Sequence, residues 1–380
     1  MDQFGTVKGV RRVTAPTSHE VFVGIHPGLE SVLGDELASL GINGTVVEGG
    51  VTCTLDGVQL GVVLRRARTA GQVLVRVGHF RARDGEGLVG GVRGLPWERF
   101  VAPRQPVEVT VSSAGSRLRF RDGIEGKVLA GIQQRLHGPR RDGPRPPRTP
   151  VEVRVRIVED RVTMSVDAGG ERLHRRGWRT EPGGAPLREN LAAALLFGSG
   201  WRPGIPLVDA MCGSGTFSIE AATWGGDRDR RPTAAESWPV PVTLPKGARQ
   251  ASAPIWTSDR DPEAAARTQR NILRSGAQGI RPVVADFREI PRPNGPPGLW
   301  IANPPYGVRM GTDLDRLLGA IGADLSARWS GWRATILVPG PPTTGRWGRV
   351  GLKGKVLVSF SHGGRPVTAI AWLADDRAVG

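Results

Sequence analysis

Short apolar runs alternate with helical patterns along the chain from residue 185 onward. This alternation is typical of a doubly wound parallel sheet, because each parallel strand needs a crossover helix before the next one. The final two apolar runs, 356–360 and 368–372, leave no room for a helix and predict an antiparallel hairpin at one sheet edge. We therefore expect an α/β fold with a doubly wound, seven-stranded Rossmann-like domain over residues 185–380. Its other strands are predicted at 205–208, 255–257, 282–285, 299–302 and 334–338.

Two smaller α+β segments precede this domain. Residues 18–70 have the pattern of a β-α-β-β-α unit, and residues 71–168 combine further strand and helix patterns. Residues 1–17 contain basic side chains but no apolar run, so we expect a short disordered lead and not a signal peptide. Residues 169–184 are expected to form a linker. The stretch 225–254 is rich in Pro, Arg and Asp, which favours a surface insertion.

The chain of 380 residues has a formal net charge of +16. A polyanionic partner fits this charge, since phosphate contacts dominate nucleic-acid affinity, although an arginine-rich composition explains it equally well. The two cysteines, Cys53 and Cys212, lie far apart, and neither they nor the scattered histidines have metal-binding spacing. We therefore expect no disulfide framework, no metal and a cytoplasmic location. No apolar run is long enough to span a membrane, so we expect no membrane partner.

The segment 209–216 directly follows a predicted strand and contains a glycine turn. Gly213 and Gly215 permit positive φ, which lets a ligand approach the backbone where a strand turns into a helix. The same spacing also occurs in tight turns that hold no ligand. Other strands of this sheet also end in polar residues, and ligands bind outside the carboxyl ends of such strands. The residues expected to contact a cofactor here are Asp209, Cys212, Gly213, Gly215 and Thr216.

Carboxylates follow the next two predicted strands. Asp259 can accept hydrogen bonds from both ribose hydroxyls of a nucleoside, and the neighbouring Asp261 is the better helix cap. Asp286 can accept a hydrogen bond from an adenine amino group, with Phe287 packed near the ring. A capping or solvated role explains Asp286 nearly as well. These positions favour a cofactor that contains a nucleoside.

Asn303-Pro304-Pro305-Tyr306 follows another apolar run and is the most specific motif in the chain. An exocyclic amine on a base is a poor nucleophile because its lone pair is delocalised into the ring. The Asn303 side-chain oxygen and the Pro304 carbonyl could each accept one N–H and favour a pyramidal nitrogen, while Tyr306 stacks on the base. The alternative is a proline-stiffened loop. With the glycine turn, the motif predicts methyl transfer from S-adenosylmethionine to a base nitrogen, with Asn303, Pro304 and Tyr306 as catalytic residues and Asn303 also beside the cofactor.

Cys212 is a tempting nucleophile, because methylation of a ring carbon uses a cysteine adduct. It lies in the glycine turn, however, and not beside Pro305. Transfer to an exocyclic nitrogen requires no covalent step with the enzyme. We therefore expect Cys212 to be a small buried residue.

Basic residues in two places are candidates for binding phosphate. Arg117, Arg119 and Arg121 alternate, so we expect them to share one face of a strand. A second group lies in the stretch 174–179, where Arg175, Arg176 and a tryptophan, Trp178, could hold phosphate and stack on a base. The arginine-rich loop 139–148 is a further candidate of the same kind. Each group is equally well explained as a solvated surface.

Motifs along nearly the whole chain resemble one family, the THUMP-domain RNA methyltransferases that modify guanine N2 in bacterial large-subunit rRNA or in tRNA. Residues 27–30 resemble its ferredoxin-like opening and residues 91–97 its THUMP region. The catalytic domain of the family begins with stretches similar to 173–179 and 185–192. Its catalytic loop is similar to residues 303–307.

The resemblance implies a ferredoxin-like domain over 18–70, a THUMP RNA-binding domain over 71–168 and a class I methyltransferase domain over 185–380. It implies S-adenosylmethionine as the cofactor and structured RNA as the partner, with 23S rRNA favoured over tRNA. By motif position, Asp209, Gly213 and Gly215 would line the methionine end, Asp259 the ribose and Asp286 the adenine. The expected RNA contacts are Arg117, Arg119, Arg175 and Arg176.

Other protein classes share the Asn303 motif. DNA amino-methyltransferases and protein glutamine methyltransferases also methylate a planar NH2 group, but neither class resembles the N-terminal half of this chain. A non-catalytic RNA-binding protein is the remaining alternative, and the intact Asp209, Gly213 and Gly215 argue against it. The chain departs from the family at Phe120, where a more polar residue is expected, and the 225–254 insertion matches poorly.

Overall fold

A computed structural model places the chain in two seven-stranded sheets that are covered by helices. The structure describes residues 18–118, 121–136, 149–180, 187–226, 232–240, 242–245, 254–305, 311–351 and 354–373. The expectations for residues 1–17, for the loop 139–148, and for Arg119 and Tyr306 fall outside the described residues.

The N-terminal sheet has the strand order β2-β3-β1-β4-β7-β6-β5. β5 and β6 pair in parallel, and the other neighbours are antiparallel. β4 pairs with both β1 and β7, so the segments 18–70 and 71–168 share one continuous sheet. The strands are β1 (His19–Gly24), β2 (Thr45–Val47), β3 (Gly50–Leu55), β4 (Gln72–Arg81), β5 (Val107–Ala114), β6 (Val151–Val158) and β7 (Arg161–Asp167). The helices are α1 (Glu30–Ser39), α2 (Gly57–Arg66), α3 (Gly85–Arg93) and α4 (Arg121–Leu136), and Trp97–Arg99 forms a 3-10 turn.

The C-terminal sheet has the order β10-β9-β8-β11-β12-β14-β13. β10, β9, β8, β11 and β12 are parallel, and β14 and β13 form the expected antiparallel hairpin at one edge. The prediction of an α/β, doubly wound domain is confirmed. The strands are β8 (Leu207–Asp209), β9 (Ile255–Asp259), β10 (Pro282–Val284), β11 (Leu299–Ala302), β12 (Arg333–Pro339), β13 (Lys355–His362) and β14 (Arg365–Leu373). The helices are α5 (Glu189–Gly198), α6 (Thr216–Ala222), α7 (Pro262–Ser275), α8 (Gly311–Arg328) and α9 (Arg346–Arg349), with 3-10 turns at Ala234–Ser237 and Pro342–Thr344.

Buried apolar residues cover both faces of the C-terminal sheet. One cluster contains Leu33 and Val63 from the N-terminal helices together with Leu195 and Leu207 from the C-terminal domain. The N-terminal sheet is thus packed against the second domain through a shared core. None of the helices within the described ranges is long and apolar enough to cross a membrane.

Two sequence expectations about the surface are wrong. β5 ends at Ala114, Arg117 lies in the bend that follows, and Arg121 already begins α4, so these arginines do not share a strand face. The described parts of the 225–254 stretch are packed and not a free insertion, because Ala235 and Trp238 are buried. The Trp238 ring meets Phe100 edge-to-face at 5.1 Å, Glu236 pairs with Arg65 at 3.4 Å, and the Ala235 N–H donates to the Ala168 carbonyl. Sequence composition missed these contacts because their partners are more than sixty residues away in the chain.

A buried carboxylate joins three segments of the chain. Glu220 in α6 is fully buried and accepts from the Arg68 Nε at 3.0 Å and from the Arg176 Nε at 3.2 Å. Arg68 follows α2, and it also donates to the carbonyl and hydroxyl oxygens of Thr223. Burial opposes ionisation of Glu220, but the two guanidinium groups outweigh it and lower its pKa. The three charges therefore hold the N-terminal unit, the linker and α6 together.

Replacement of Glu220 by glutamine tests this junction. The change leaves two guanidinium groups buried without a counter-charge, and we expect the free energy of unfolding to fall by about 3–5 kcal/mol. Urea denaturation followed by tryptophan fluorescence measures it. Glu98→Gln is the matched control, because Glu98 pairs with Arg135 at 2.8 Å on the surface and should cost less than about 1 kcal/mol. Equal effects of the two substitutions would contradict the role given to Glu220.

Candidate active site

A cavity of about 570 Å³ opens at the carboxyl ends of four neighbouring strands. Ala210 follows β8, Asp259 ends β9, Asp286 follows β10 and Asn303 follows β11. Parallel strands bring their carboxyl ends to the same edge of a sheet, which is why polar residues from distant parts of the chain meet here. The wall is formed by Leu187, Ala210, Met211, Cys212, Gly213, Ser214, Thr216, Phe217, Asp259, Arg260, Asp261, Ala264, Arg267, Asp286, Phe287, Asn303, Pro304, Pro305 and Leu317.

The glycine turn forms the floor of this cavity. Gly213 and Gly215 have φ values of 58° and 78°, in the left-handed region that favours glycine. A Cβ on Gly215 would lie 2.7 Å from the Thr268 Cγ2, so α7 packs directly against the turn. The Thr268 hydroxyl donates to the Gly213 carbonyl, and the Asn271 amide donates to the Ser214 carbonyl. Two side chains of α7 therefore fix the conformation of the turn. A Cβ on Gly213 would meet no neighbour within 4 Å, so the turn is open at this position.

Asp209 and Gly215 are not on the cavity wall, which corrects the expectation that both line it. Asp209 is fully buried beneath the turn, where its Oδ2 accepts from the Ser218 hydroxyl at 2.7 Å. Burial raises the pKa of Asp209 to about 7, the bonds from Ser218 oppose this, and the nearby Asp259 adds to it. Both residues support the cavity from below.

Asp259 lies on the wall between the turn and α7. Its Oδ2 accepts from the Gly213 N–H at 2.9 Å and its Oδ1 from the Asp261 N–H at 3.0 Å. Asp261 caps α7 by accepting from the Glu263 N–H, with Pro262 in the first turn, as expected from the sequence. Each Asp259 oxygen keeps a lone pair for a ligand hydroxyl, so the carboxylate can both brace the turn and bind ribose.

Asp286 pairs with a neighbouring arginine and also lies on the cavity wall. Its carboxylate holds the Arg288 guanidinium through bonds of 2.7 and 3.1 Å and also accepts from the Arg288 N–H. The side-chain hydrogen bond from Arg288 lowers the pKa of Asp286. The same residue lines the cavity beside Phe287, whose buried ring meets Trp300 edge-to-face. A ligand amino group would therefore share Asp286 with Arg288.

Asn303 carries an acceptor without a donor. Its Oδ1 is buried, and no donor within the described part of the chain lies at hydrogen-bond distance. Pro304 beside it is buried, and Pro305 is exposed. An unsatisfied buried amide oxygen costs about 1–3 kcal/mol, and a ligand N–H that reached this part of the wall would offset that cost.

Cys212 is buried on the cavity wall, and its thiol lies 3.5 Å from the Thr268 hydroxyl. Burial raises the pKa of the thiol well above its ordinary value, and the neighbouring Asp209 raises it further. A thiol that is held neutral is a poor nucleophile. This environment suits the small buried residue expected from the sequence.

The stretch 174–179 differs from its expectation in two residues. Arg176 is buried against Glu220 and also donates to the Leu173 and Arg68 carbonyls, and Trp178 is buried, so neither can reach an RNA. Both residues were predicted as RNA contacts, and this prediction is wrong. Arg176 is drawn inward by its ion pair with Glu220, and Trp178 is packed in the apolar core. Arg175 stays exposed, as does Arg117, whose backbone N–H donates to Asp160.

Arg179 is a positioning residue that the sequence did not reveal. Its Nε donates to Glu189 at 3.1 Å, and its Nη2 donates to the Leu187 carbonyl at 2.9 Å and the Thr216 hydroxyl at 2.8 Å. Leu187 and Thr216 both line the cavity. One guanidinium thus fixes the positions of two residues on the cavity wall. Only a planar fork of donors can reach these two acceptors and Glu189 at the same time.

Comparisons with known proteins identify the family of this site. Residues 176–340 match a family model described as an RMKL-like methyltransferase domain, and residues 20–74 match one described as an RlmL ferredoxin-like domain. The chain is a class I S-adenosylmethionine-dependent methyltransferase. The residues fit this cofactor, because the open Gly213 turn and the Asp259 carboxylate line one cavity.

Solved structures agree with this family. SMU.472, described as a candidate methyltransferase and crystallised with SAH, is 26% identical, with a TM-score of 0.82 over 96% of this methyltransferase and 100% of that chain. A protein from Listeria monocytogenes str. 4b F2365, predicted to be an N6-adenine-specific DNA methylase, is 25% identical, with a TM-score of 0.79 over 94% and 96% of the two chains. TrmN from Thermus thermophilus shares the fold at 23% identity, with a TM-score of 0.68 over 93% and 98%.

We expect Arg179→Lys to weaken binding of S-adenosylhomocysteine to the methyltransferase about tenfold. A lysine ammonium cannot reach Glu189, Leu187 and Thr216 together, and each lost hydrogen bond is worth about 1 kcal/mol against 1.4 kcal/mol per tenfold in affinity. Isothermal titration calorimetry measures the Kd. Arg281→Lys, on the exposed surface before β10, is the control. An unchanged Kd in Arg179→Lys would show that this guanidinium does not shape the wall.

The Asp209→Asn variant should reveal the raised pKa as a pH-dependent stability difference. A buried carboxyl with its pKa raised from 3.8 to about 7 stabilises the fold fully below pH 3.8 and loses that contribution as the pH rises through about 7. Asparagine does not titrate, so the variant should gain stability relative to the parent by up to about 1.4 kcal/mol per pH unit in this interval. Urea midpoints across a pH series measure the difference. A difference that is constant with pH would refute the assignment.

Proposed function

We propose that this methyltransferase acts on the exocyclic N2 of a guanosine in RNA, with 23S rRNA favoured over tRNA. The observation that carries the proposal is the buried, unsatisfied Oδ1 of Asn303 on the wall of the cofactor cavity. A planar NH2 group supplies the donor that this oxygen lacks. Gly213 and Asp259, the proposed cofactor contacts, lie on the same wall, so this acceptor would face the bound cofactor.

The roles of the cavity residues follow from their positions. When bound, S-adenosylmethionine supplies an electrophilic methyl group: the base nitrogen forms the new N–C bond, and the sulfur keeps the electron pair of the broken S–C bond. Asp259 would hold the ribose hydroxyls and Phe287 would pack near the adenine. Asn303 Oδ1 and the Pro304 carbonyl would each accept one N–H, which turns the nitrogen lone pair out of conjugation with the ring. The methylated nitrogen would release one proton to solvent water, and Tyr306 is proposed to stack on the base.

RNA is favoured as the substrate on three grounds. The net charge of +16 suits a polyanion. The segment 71–168, which we propose to be a THUMP domain, and the segment 18–70 form one sheet that is packed against the catalytic domain through the shared core. Arg117, Arg119 and Arg175 are proposed RNA contacts. The proposed location is the cytoplasm, which is consistent with an RNA substrate and with two cysteines that lie far apart in the chain.

DNA adenine is the second candidate substrate, because the exocyclic amine of adenine would satisfy Asn303 Oδ1 equally well. A relative of 25% identity is itself predicted to be an adenine-specific DNA methylase. The N-terminal sheet does not discriminate between the two candidates, since that relative matches this chain over 94% of its length. The two candidates predict different methylated nucleosides.

The test is transfer of a labelled methyl group from S-adenosylmethionine to rRNA, tRNA and genomic DNA, followed by mass spectrometry of the nucleosides. We expect N2-methylguanosine in the rRNA fraction. Asn303→Ala should lower the rate by about two to three orders of magnitude, the cost of removing one preorganised hydrogen bond in a catalytic site, and leave the Kd for S-adenosylhomocysteine nearly unchanged. N6-methyladenine in DNA would replace the proposal with the second candidate, and normal turnover of Asn303→Ala would refute the role of Asn303.

A further inference from the structure

The arginines between the two sheets divide into two sets. Arg176 and Arg179 point inward, where they pair with Glu220 and Glu189. Arg172, Arg175 and Arg188 are exposed, and none of these three has an ion-pair partner within the described residues. We call Arg172, Arg175 and Arg188 the outer arginine cluster. The ion pairs of Arg176 and Arg179 explain how the linker contributes to the stability of the fold. They do not explain the three exposed charges of the outer arginine cluster.

The outer arginine cluster surrounds a half-buried imidazole. The Arg175 N–H donates to the Arg172 carbonyl, so the two residues share one tight turn. His174 lies inside that turn, and Arg188 from the start of α5 is the strongest charged influence on it. Burial first, and then these arginines together with Arg176, lower the pKa of His174 to about 4. Several positive charges are therefore concentrated around His174 at this point of the surface, and they add to the effect of its burial.

The cluster lies at the edge of the cofactor cavity. Arg188 directly follows Leu187, which forms part of the cavity wall. On the other side, the Leu173 N–H donates to the Gly71 carbonyl, directly before β4 of the N-terminal sheet. An RNA that contacts the N-terminal sheet and places a base in the cavity would therefore pass this junction. Guanidinium groups bind phosphate oxygens bidentately, and such contacts fix the register of a nucleic acid without reading its sequence.

We infer that Arg172, Arg175 and Arg188 form a phosphate-binding surface that holds the backbone of the substrate RNA beside the cavity. The inference rests on the proposed function, because it takes RNA as the polymer. The sequence predicted Arg175 and Arg176 as RNA contacts of this segment. Because Arg176 is buried, the phosphate-binding role is assigned to Arg172 and Arg188 together with Arg175. The surface positions the strand for the base that enters the cavity and takes no part in methyl transfer.

The salt dependence of RNA binding tests this inference. The triple variant Arg172→Gln, Arg175→Gln, Arg188→Gln is compared with a control triple, Arg104→Gln, Arg281→Gln, Lys355→Gln, which removes three exposed and unpaired charges elsewhere within the described residues. Fluorescence anisotropy of a labelled RNA hairpin at a series of KCl concentrations gives the slope of log K against log salt. We expect the slope of the cluster variant to fall in magnitude by about two to three, one for each lost phosphate contact, and that of the control by less than about one.

Two further measurements separate failure of the inference from failure of the proposed function. The Kd for S-adenosylhomocysteine and the urea midpoint of the cluster variant should equal those of the parent, which excludes loss of the fold as the cause. A parental salt slope in the cluster variant, or an equal loss in the control, overturns the inference even if the parent methylates RNA. If the parent methylates only DNA, the proposed function fails, and the same slopes measured on that duplex decide whether the cluster binds phosphate.

Discussion

The ion triad of Glu220, Arg68 and Arg176 is the interaction on which the rest of the structure depends. A carboxylate with no solvent exposure needs partners for both of its oxygens, and here Oε1 accepts from Arg176 while Oε2 accepts from both Arg68 and Arg176. The three residues come from the N-terminal unit, the linker and α6. Because α6 begins at the glycine turn, the triad ties the floor of the cofactor cavity to the N-terminal sheet. The cofactor cavity and the proposed RNA-binding domain are thus joined through one buried ion triad.

The cavity illustrates how a parallel sheet brings functional side chains from distant parts of the chain together. Asp259, Asp286 and Asn303 lie far apart in the chain, and they meet because each follows a strand of the same sheet. Residues that are not on the wall are equally necessary, since Thr268 and Asn271 of α7 hold the glycine turn and Arg179 sets Leu187 and Thr216. The polar groups of the wall are therefore positioned before a ligand arrives, which lowers the free-energy cost of organising the site.

The linker between the two sheets contains buried arginines that stabilise the fold and exposed arginines that contribute surface charge. Its inward arginines are neutralised by buried carboxylates and contribute to stability, and its outward arginines leave positive charge beside the cavity mouth. A short basic segment can therefore connect two domains and still present positive charge at the surface. The number of arginines in such a segment does not by itself give its surface charge, since buried carboxylates pair with some of them.

Local periodicity and the rules of parallel sheets were enough to predict the strands, the doubly wound topology, the edge hairpin and the polar residues at the strand ends. The sequence also indicated the glycine turn and the Asn303 motif. The folded chain was needed to show which arginines of the linker are buried, that Asp209 lies beneath the cavity, and that Ala235 and Trp238 pack against the N-terminal domain. Arg175 and Arg176 are adjacent and identical in type, and the partner that draws one of them inward, Glu220, lies 44 residues further along the chain. Local pattern does not encode such a pairing, because burial of a charge depends on which counter-charge the folded chain brings to it.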